Sequence, residues 1–65
     1  MPIVRIELFP GRSDTVKGDI ARQITEAFHS CAGVKPADTI ILFNEVPPSD
    51  WFEAGESFGE AQKKE

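Results

Sequence analysis

The chain is poor in the groups that staple or metallate small domains. It has one cysteine, one histidine, one tryptophan and no tyrosine in 65 residues. With Cys31 alone, a disulfide within the chain is excluded. One Cys and one His do not make a four-ligand zinc site, so no metal is expected. No apolar run approaches the roughly 20 residues of a membrane span. Basic residues are also scarce: seven Lys and Arg stand against eleven Asp and Glu, a formal charge of −4. The seven are scattered, which argues against nucleic acid and against anionic membrane surfaces. The N-terminus lacks a basic region followed by an apolar run, so no secretory signal is expected. A lone cysteine fits a reducing compartment, and the expected location is cytoplasmic. What remains is a small-molecule or protein partner.

The chain is expected to form a single domain, residues 1–65. A domain this short buries only about 60% of its unfolded surface. Small domains make up the shortfall with disulfides, metals or oligomerisation, and only the last is open here. The 40% apolar content supplies the faces for a homo-oligomer.

Residues 3–9 alternate. Val4, Ile6 and Leu8 share one face; Ile3, Arg5, Glu7 and Phe9 share the other. This period of two predicts a half-buried strand, and Phe9 on the more polar face suggests that this face also meets something, such as another subunit. Pro10-Gly11 ends the strand in a turn. Ser13 or Asp14 is a suitable helix N-cap. Val16, Ile20, Ile24, Ala27, Phe28 and Cys31 then fall within one arc at helical spacing and predict the core-facing stripe. Lys17 and His29 fall outside it. Cys31 within it reads as a small buried hydrophobe, and His29 as solvent-facing. Gly33 and Pro36 stop the helix. Residues 39–46 form the second strand, and its four consecutive large apolar residues, Ile40 to Phe43, predict burial on both faces. Strand, helix, strand with short links predicts an α/β fold built on one βαβ unit with parallel strands. One helix covers one face of such a sheet, so the other face needs a partner. Pro47-Pro48-Ser49-Asp50 breaks the strand. Trp51-Phe52 follows as an apolar pair in a short C-terminal extension, and residues 58–65 are expected to be a flexible tail.

Two groups bracket the first strand. If Met1 is removed, Pro2 becomes an N-terminal secondary amine with a basic lone pair. Arg12, in the turn after the strand, is a cation suited to bidentate pairing with a carboxylate. A base and a cation are a minimal site for a carboxylate-bearing carbon acid. Each has a plainer reading as well: a strand-start proline and a solvated turn arginine. Arg5 is a lesser second cation, and its plainer reading is a sheet-surface charge near Glu7.

Pro2 after the initiator, Gly11-Arg12-Ser13-Asp14 after the first strand, one amphipathic helix, and a second strand ending in Glu45-Val46 together resemble the 4-oxalocrotonate tautomerase family. The resemblance covers residues 2 to about 57. It implies short subunits that pair their sheets into dimers, commonly a trimer of dimers (a hexamer). It implies that Met1 is removed and that Pro2 is the catalytic general base. Arg12 would bind the substrate carboxylate, and Trp51 or Phe52, from a neighbouring subunit, would wall the pocket. The implied activity is isomerisation of a small unsaturated or 2-keto/enol acid without a cofactor.

Two departures from the family pattern bear on the substrate. The founding tautomerases carry an arginine in the second strand where this chain has Ile40. Around Trp51-Phe52-Glu53-Ala54-Gly55-Glu56 the chain is instead similar to the trans-3-chloroacrylic acid dehalogenases. There the glutamate matching Glu53 activates water for addition to an unsaturated acid. Those enzymes use two arginines on the carboxylate, matching Phe9 and Arg12, and only Arg12 is present. Glu53 otherwise reads as an acid in a turn. Three functions stay open: a Pro2 tautomerase, a hydratase or dehalogenase using Glu53, and an oligomeric binding protein without efficient catalysis.

Overall fold

A computed structural model describes residues 1–59 of the chain. β1 (Ile3–Leu8) leads into α1 (Asp14–Ala32), and β2 (Ile40–Glu45) returns beside β1. The strands pair in parallel, from Ile3 opposite Ile40 to Leu8 opposite Glu45. The ladder runs one bond past each end: the Ile40 N–H donates to the Pro2 carbonyl (3.0 Å) and the Val46 N–H to the Leu8 carbonyl (2.8 Å). The βαβ unit is as the alternation and spacing predict.

The helix begins where its capping chemistry says. Ser13 is extended, and its side chain accepts a hydrogen bond from the Val16 N–H, which satisfies one of the first-turn donors. At the other end Gly33 adopts φ 71°, and its N–H returns to the His29 carbonyl. His29 is exposed, and its Nδ1 lies 3.1 Å from the Val34 carbonyl.

The inward face of α1 differs from the expected stripe. Lys17, Ile20, Ala21, Ile24 and Phe28 are half-buried, whereas Val16, Ala27 and Cys31 are exposed. Cys31 is therefore not a buried hydrophobe. Two physical causes account for the two ends of the stripe, Val16 and Cys31, and for Lys17. A helix of 19 residues is about 28 Å long at 1.5 Å per residue. Strands of six residues reach about 20 Å at 3.3 Å per residue. The ends of the helix overhang the sheet. Lys17 turns inward because its stem lies along apolar surface while its ammonium meets Glu45 Oε2 at 3.0 Å, on the helix-facing side of β2.

The other sheet face is open. Ile3, Arg5 and Glu7 stand opposite Ile40, Leu42 and Asn44. Ile3 is 59% exposed and Leu42 42%. Burial of β2 on both faces is thus not reached within one chain. The Asn44 amide donates to Glu7 Oε1 across the strands at 3.0 Å. Among the described residues no hydrophobic side chain is fully buried.

After β2 the chain makes a helical turn (Pro48–Asp50) and a small antiparallel hairpin, β3 (Phe52–Glu53) and β4 (Glu56–Ser57). Ala54 and Gly55 form its two-residue turn, with φ 55° and 80°. Both angles are positive, as a hairpin turn of this length needs to match strand twist. Phe58 and Gly59, expected to begin a flexible tail, are half-buried and buried. Residues 60–65 of that expected tail lie outside the described residues.

Candidate active site

Pro2 sits at the N-terminal end of β1, half-buried. Its carbonyl is tied to Ile40, so Ile40 is the β2 residue beside it. The position where the resemblance looks for a second arginine is filled by an aliphatic side chain on the open sheet face. Met1 is 81% exposed and precedes Pro2. While that peptide bond stands, the Pro2 nitrogen is an amide and has no basic lone pair. Removal of Met1 is the step that would make it a base.

Arg12 lies at the opposite end of the sheet. Gly11, at φ 126°, turns the chain through a conformation that side chains avoid, and this turn sets Arg12 beyond the strand. Arg12 is exposed, and its Nη1 donates to the Phe9 carbonyl at 3.3 Å. It makes no ion pair among the described residues; Asp14, its sequence neighbour, lies 3.9 Å from Lys17 instead. Four of its five N–H donors face no protein acceptor among the described residues.

The aromatic residues gather at this same end. Phe9 packs against Trp51 with ring centroids 4.5 Å apart and against Phe58 at 5.7 Å; Trp51 and Phe58 are 6.3 Å apart. The Phe58 N–H donates to the Trp51 carbonyl at 2.8 Å. The face of Phe9 was expected to meet something, and within this chain the Phe9 ring meets Trp51 and Phe58. Trp51 and Phe52 also line a cleft of about 290 Å³ with Glu7, Val46 and Asp50. Phe52 is 61% exposed. Glu53 is exposed as well and faces Glu56 across the hairpin; like charges so placed are mildly repulsive.

The candidate residues therefore fall into two groups. Arg12, Trp51, Phe52 and Glu53 belong to the C-terminal end of the sheet, and Pro2 with Ile40 to the other. The six residues of β1 separate them by about 20 Å. One chain cannot bring its own Pro2 to its own Arg12. Sequence reading missed Phe58, the roles of Glu7 and Asp50 in the cleft, and the hairpin. Period two does place Phe9 on the face of Glu7, so that part was available. Ala-Gly is not a usual signal for a hairpin turn, and the hairpin was not.

Comparison with known proteins gives a consistent result. The family model for tautomerase enzymes matches residues 2–61. A probable tautomerase from Ralstonia nicotianae is 37% identical over 60 residues, 92% of each chain. Among solved structures, a 4-oxalocrotonate tautomerase homologue of the tomaymycin biosynthetic pathway superposes with a TM-score of 0.87. It is 28% identical, with 97% of each chain covered. A heterohexamer 4-oxalocrotonate tautomerase from Chloroflexus aurantiacus gives a TM-score of 0.81 at 33% identity, covering 92% of this chain and 97% of that one. From its βαβ fold, its Gly11-Arg12 turn and these matches along nearly its whole length, the chain belongs to the 4-oxalocrotonate tautomerase family, a family of isomerase enzymes.

Proposed function

We propose that the protein is a cofactor-independent keto–enol tautomerase of a small unsaturated or 2-keto carboxylic acid, working as a homo-oligomer with sites shared between chains. Pro2, freed of Met1, is the general base, and Arg12 of another chain anchors the substrate carboxylate. The observation that carries this reading is the state of Arg12: exposed, steadied by one carbonyl, and with its remaining donors unmatched among the described residues.

The chemistry needs little else. A carboxylate on Arg12 makes charge-assisted hydrogen bonds and fixes the acid in one orientation. The Pro2 nitrogen takes the enol hydroxyl proton and returns a proton to the adjacent carbon, so the C=C bond shifts to C=O and no atom is gained or lost. Such a base works best near neutral pH. An ordinary α-amino group titrates at about 7.7–8.0, and both a nearby cation and an apolar wall favour its neutral form. Ile40 supplies the apolar wall beside Pro2, and Trp51 and Phe52 supply it on the Arg12 side. With Ile40 in place of a cation, the second anionic group of a dicarboxylate has no partner there. A monocarboxylate suits these residues better.

The test uses protein whose free Pro2 is confirmed by intact mass. Ketonisation of enol phenylpyruvate is expected, with a loss of about 100-fold or more in Pro2→Ala, in line with what a general base contributes. Full activity in that variant would contradict the assignment.

A hydrolytic alternative draws on Glu53, exposed on the hairpin next to Phe52. It requires halide release from 3-chloroacrylate that Glu53→Gln abolishes while enol ketonisation survives. If neither reaction exceeds background with a free Pro2, the protein is a binding member of its family.

A further inference from the structure

The Phe9 side chain and main chain point to two different parts of the proposed site. Phe9 is the first residue past β1. Its own carbonyl lies outside the ladder, whose last bond is the one from Val46 to Leu8. That carbonyl holds Arg12 Nη1 at 3.3 Å. Its ring lies 4.5 Å from Trp51, the nearest of the three aromatic pairs, and 5.7 Å from Phe58. Trp51 in turn lines the cleft with Phe52 and Glu7. Pro10 follows, with no N–H to donate, and then Gly11 in a left-handed turn. Nothing else in residues 10–12 ties Arg12 to the described structure by a side-chain or turn hydrogen bond.

From this geometry we infer that Phe9 is a positioning residue for substrate binding. Its ring, clamped between Trp51 and Phe58, fixes the main chain that aims Arg12 and also fixes the face of Trp51 presented to the cleft. The inference rests on the proposed tautomerase reading for its kinetic consequence and on geometry alone for its spectroscopic one. A residue acting this way sets how well the carboxylate is held. It does not touch the proton transfer, which takes place at Pro2 at the far end of another chain.

Phe9→Leu removes the ring. Trp51 is the only tryptophan of the chain, so its fluorescence reports the packing directly. Loss of an aromatic pair corresponds to roughly a two- to tenfold change in an equilibrium constant. In Phe9→Leu, Trp51 emission is expected to shift to the red, and KM for enol phenylpyruvate to rise by about that factor. Turnover at saturation stays within about twofold, because an interaction lost equally from ground and transition states changes KM alone. Phe9→Tyr keeps the ring and restores both readouts. Titration of Trp51 emission with phenylacetate, a plain carboxylate probe, gives the matching weakening of Kd without any turnover. That arm separates the two claims: if Pro2→Ala were fully active, the catalytic assignment would fail, while the phenylacetate series would still judge Phe9. Should Phe9→Leu not fold, Phe9→Met keeps the volume without the ring and carries the same expectation. Unchanged KM and Kd in a folded variant, or a fall in turnover at unchanged KM, overturns the inference and leaves Phe9 as hairpin packing only.

Discussion

At the scale of single residues, Pro2 and Arg12 have, on the proposed reading, separable jobs that kinetics can tell apart. On that reading Pro2 acts on the reacting proton, so its loss, or retention of Met1, removes turnover. Arg12 would bind a carboxylate that is present before and during the reaction. Arg12→Ala is therefore expected to raise KM by roughly 10- to 100-fold, the size of a charge-assisted hydrogen-bonding contact, with a smaller effect on turnover. Steady-state kinetics on enol phenylpyruvate reads this, and an unchanged KM would remove Arg12 from the site. Neither stands out alone, since a strand-start proline and a solvated turn arginine are common; it is the Gly11-Arg12 turn and the βαβ order together that single the pair out as candidates. Phe9 was only half legible. The alternation of β1 gave its face, but its contacts with Trp51 and Phe58 depend on a chain reversal more than forty residues downstream that no local pattern announces.

At the scale of elements, the chain is held by a few local devices whose removal has calculable effects. Ser13 caps α1 through the Val16 N–H, and Ser13→Ala is expected to cost about 1 kcal/mol, read from the urea midpoint. Ala54 occupies a left-handed conformation at φ 55°, which an L side chain adopts at a cost of about 1–2 kcal/mol. Ala54→Asn places there a residue suited to this turn and is expected to stabilise the protein by up to about 1 kcal/mol. Gly59→Ala should do the reverse, since its Cβ would lie 2.8 Å from the Ser49 Cα and 2.9 Å from the Ser49 nitrogen, both main-chain atoms that cannot step aside. The strands and helix were readable from period and caps. The rotation of the helix was not, since Lys17 points inward only because Glu45 lies on the helix-facing side of β2, a fact of the register and not of the helix itself.

At the scale of the whole molecule, one chain is an incomplete object in two senses. Its apolar groups are only half covered: Ile3 and Leu42 stand on an open sheet face, Val16 on an exposed helix flank, and Phe52 on the hairpin. Its candidate catalytic groups stand at opposite ends of β1, about 20 Å apart at the rise of a strand. On the proposed reading, a second chain resolves both. Light scattering at micromolar concentration is expected to give an assembly larger than a monomer; a monomer would leave Pro2 and Arg12 without a means of meeting. Size and composition pointed to a partner from the sequence alone, but the separation of the two groups required the parallel register of β1 and β2.

The claim that Pro2 and Arg12 come from different chains is tested most directly by mixing subunits. Pro2→Ala and Arg12→Ala proteins are each expected to be impaired alone. Unfolded together at equal amounts and reassembled, they are expected to recover about a quarter of wild-type activity below KM, because random pairing in a symmetric assembly joins an intact Pro2 to an intact Arg12 at that fraction of sites. Activity no greater than the average of the two variants measured separately, in assemblies shown to be mixed, would contradict a site shared between chains.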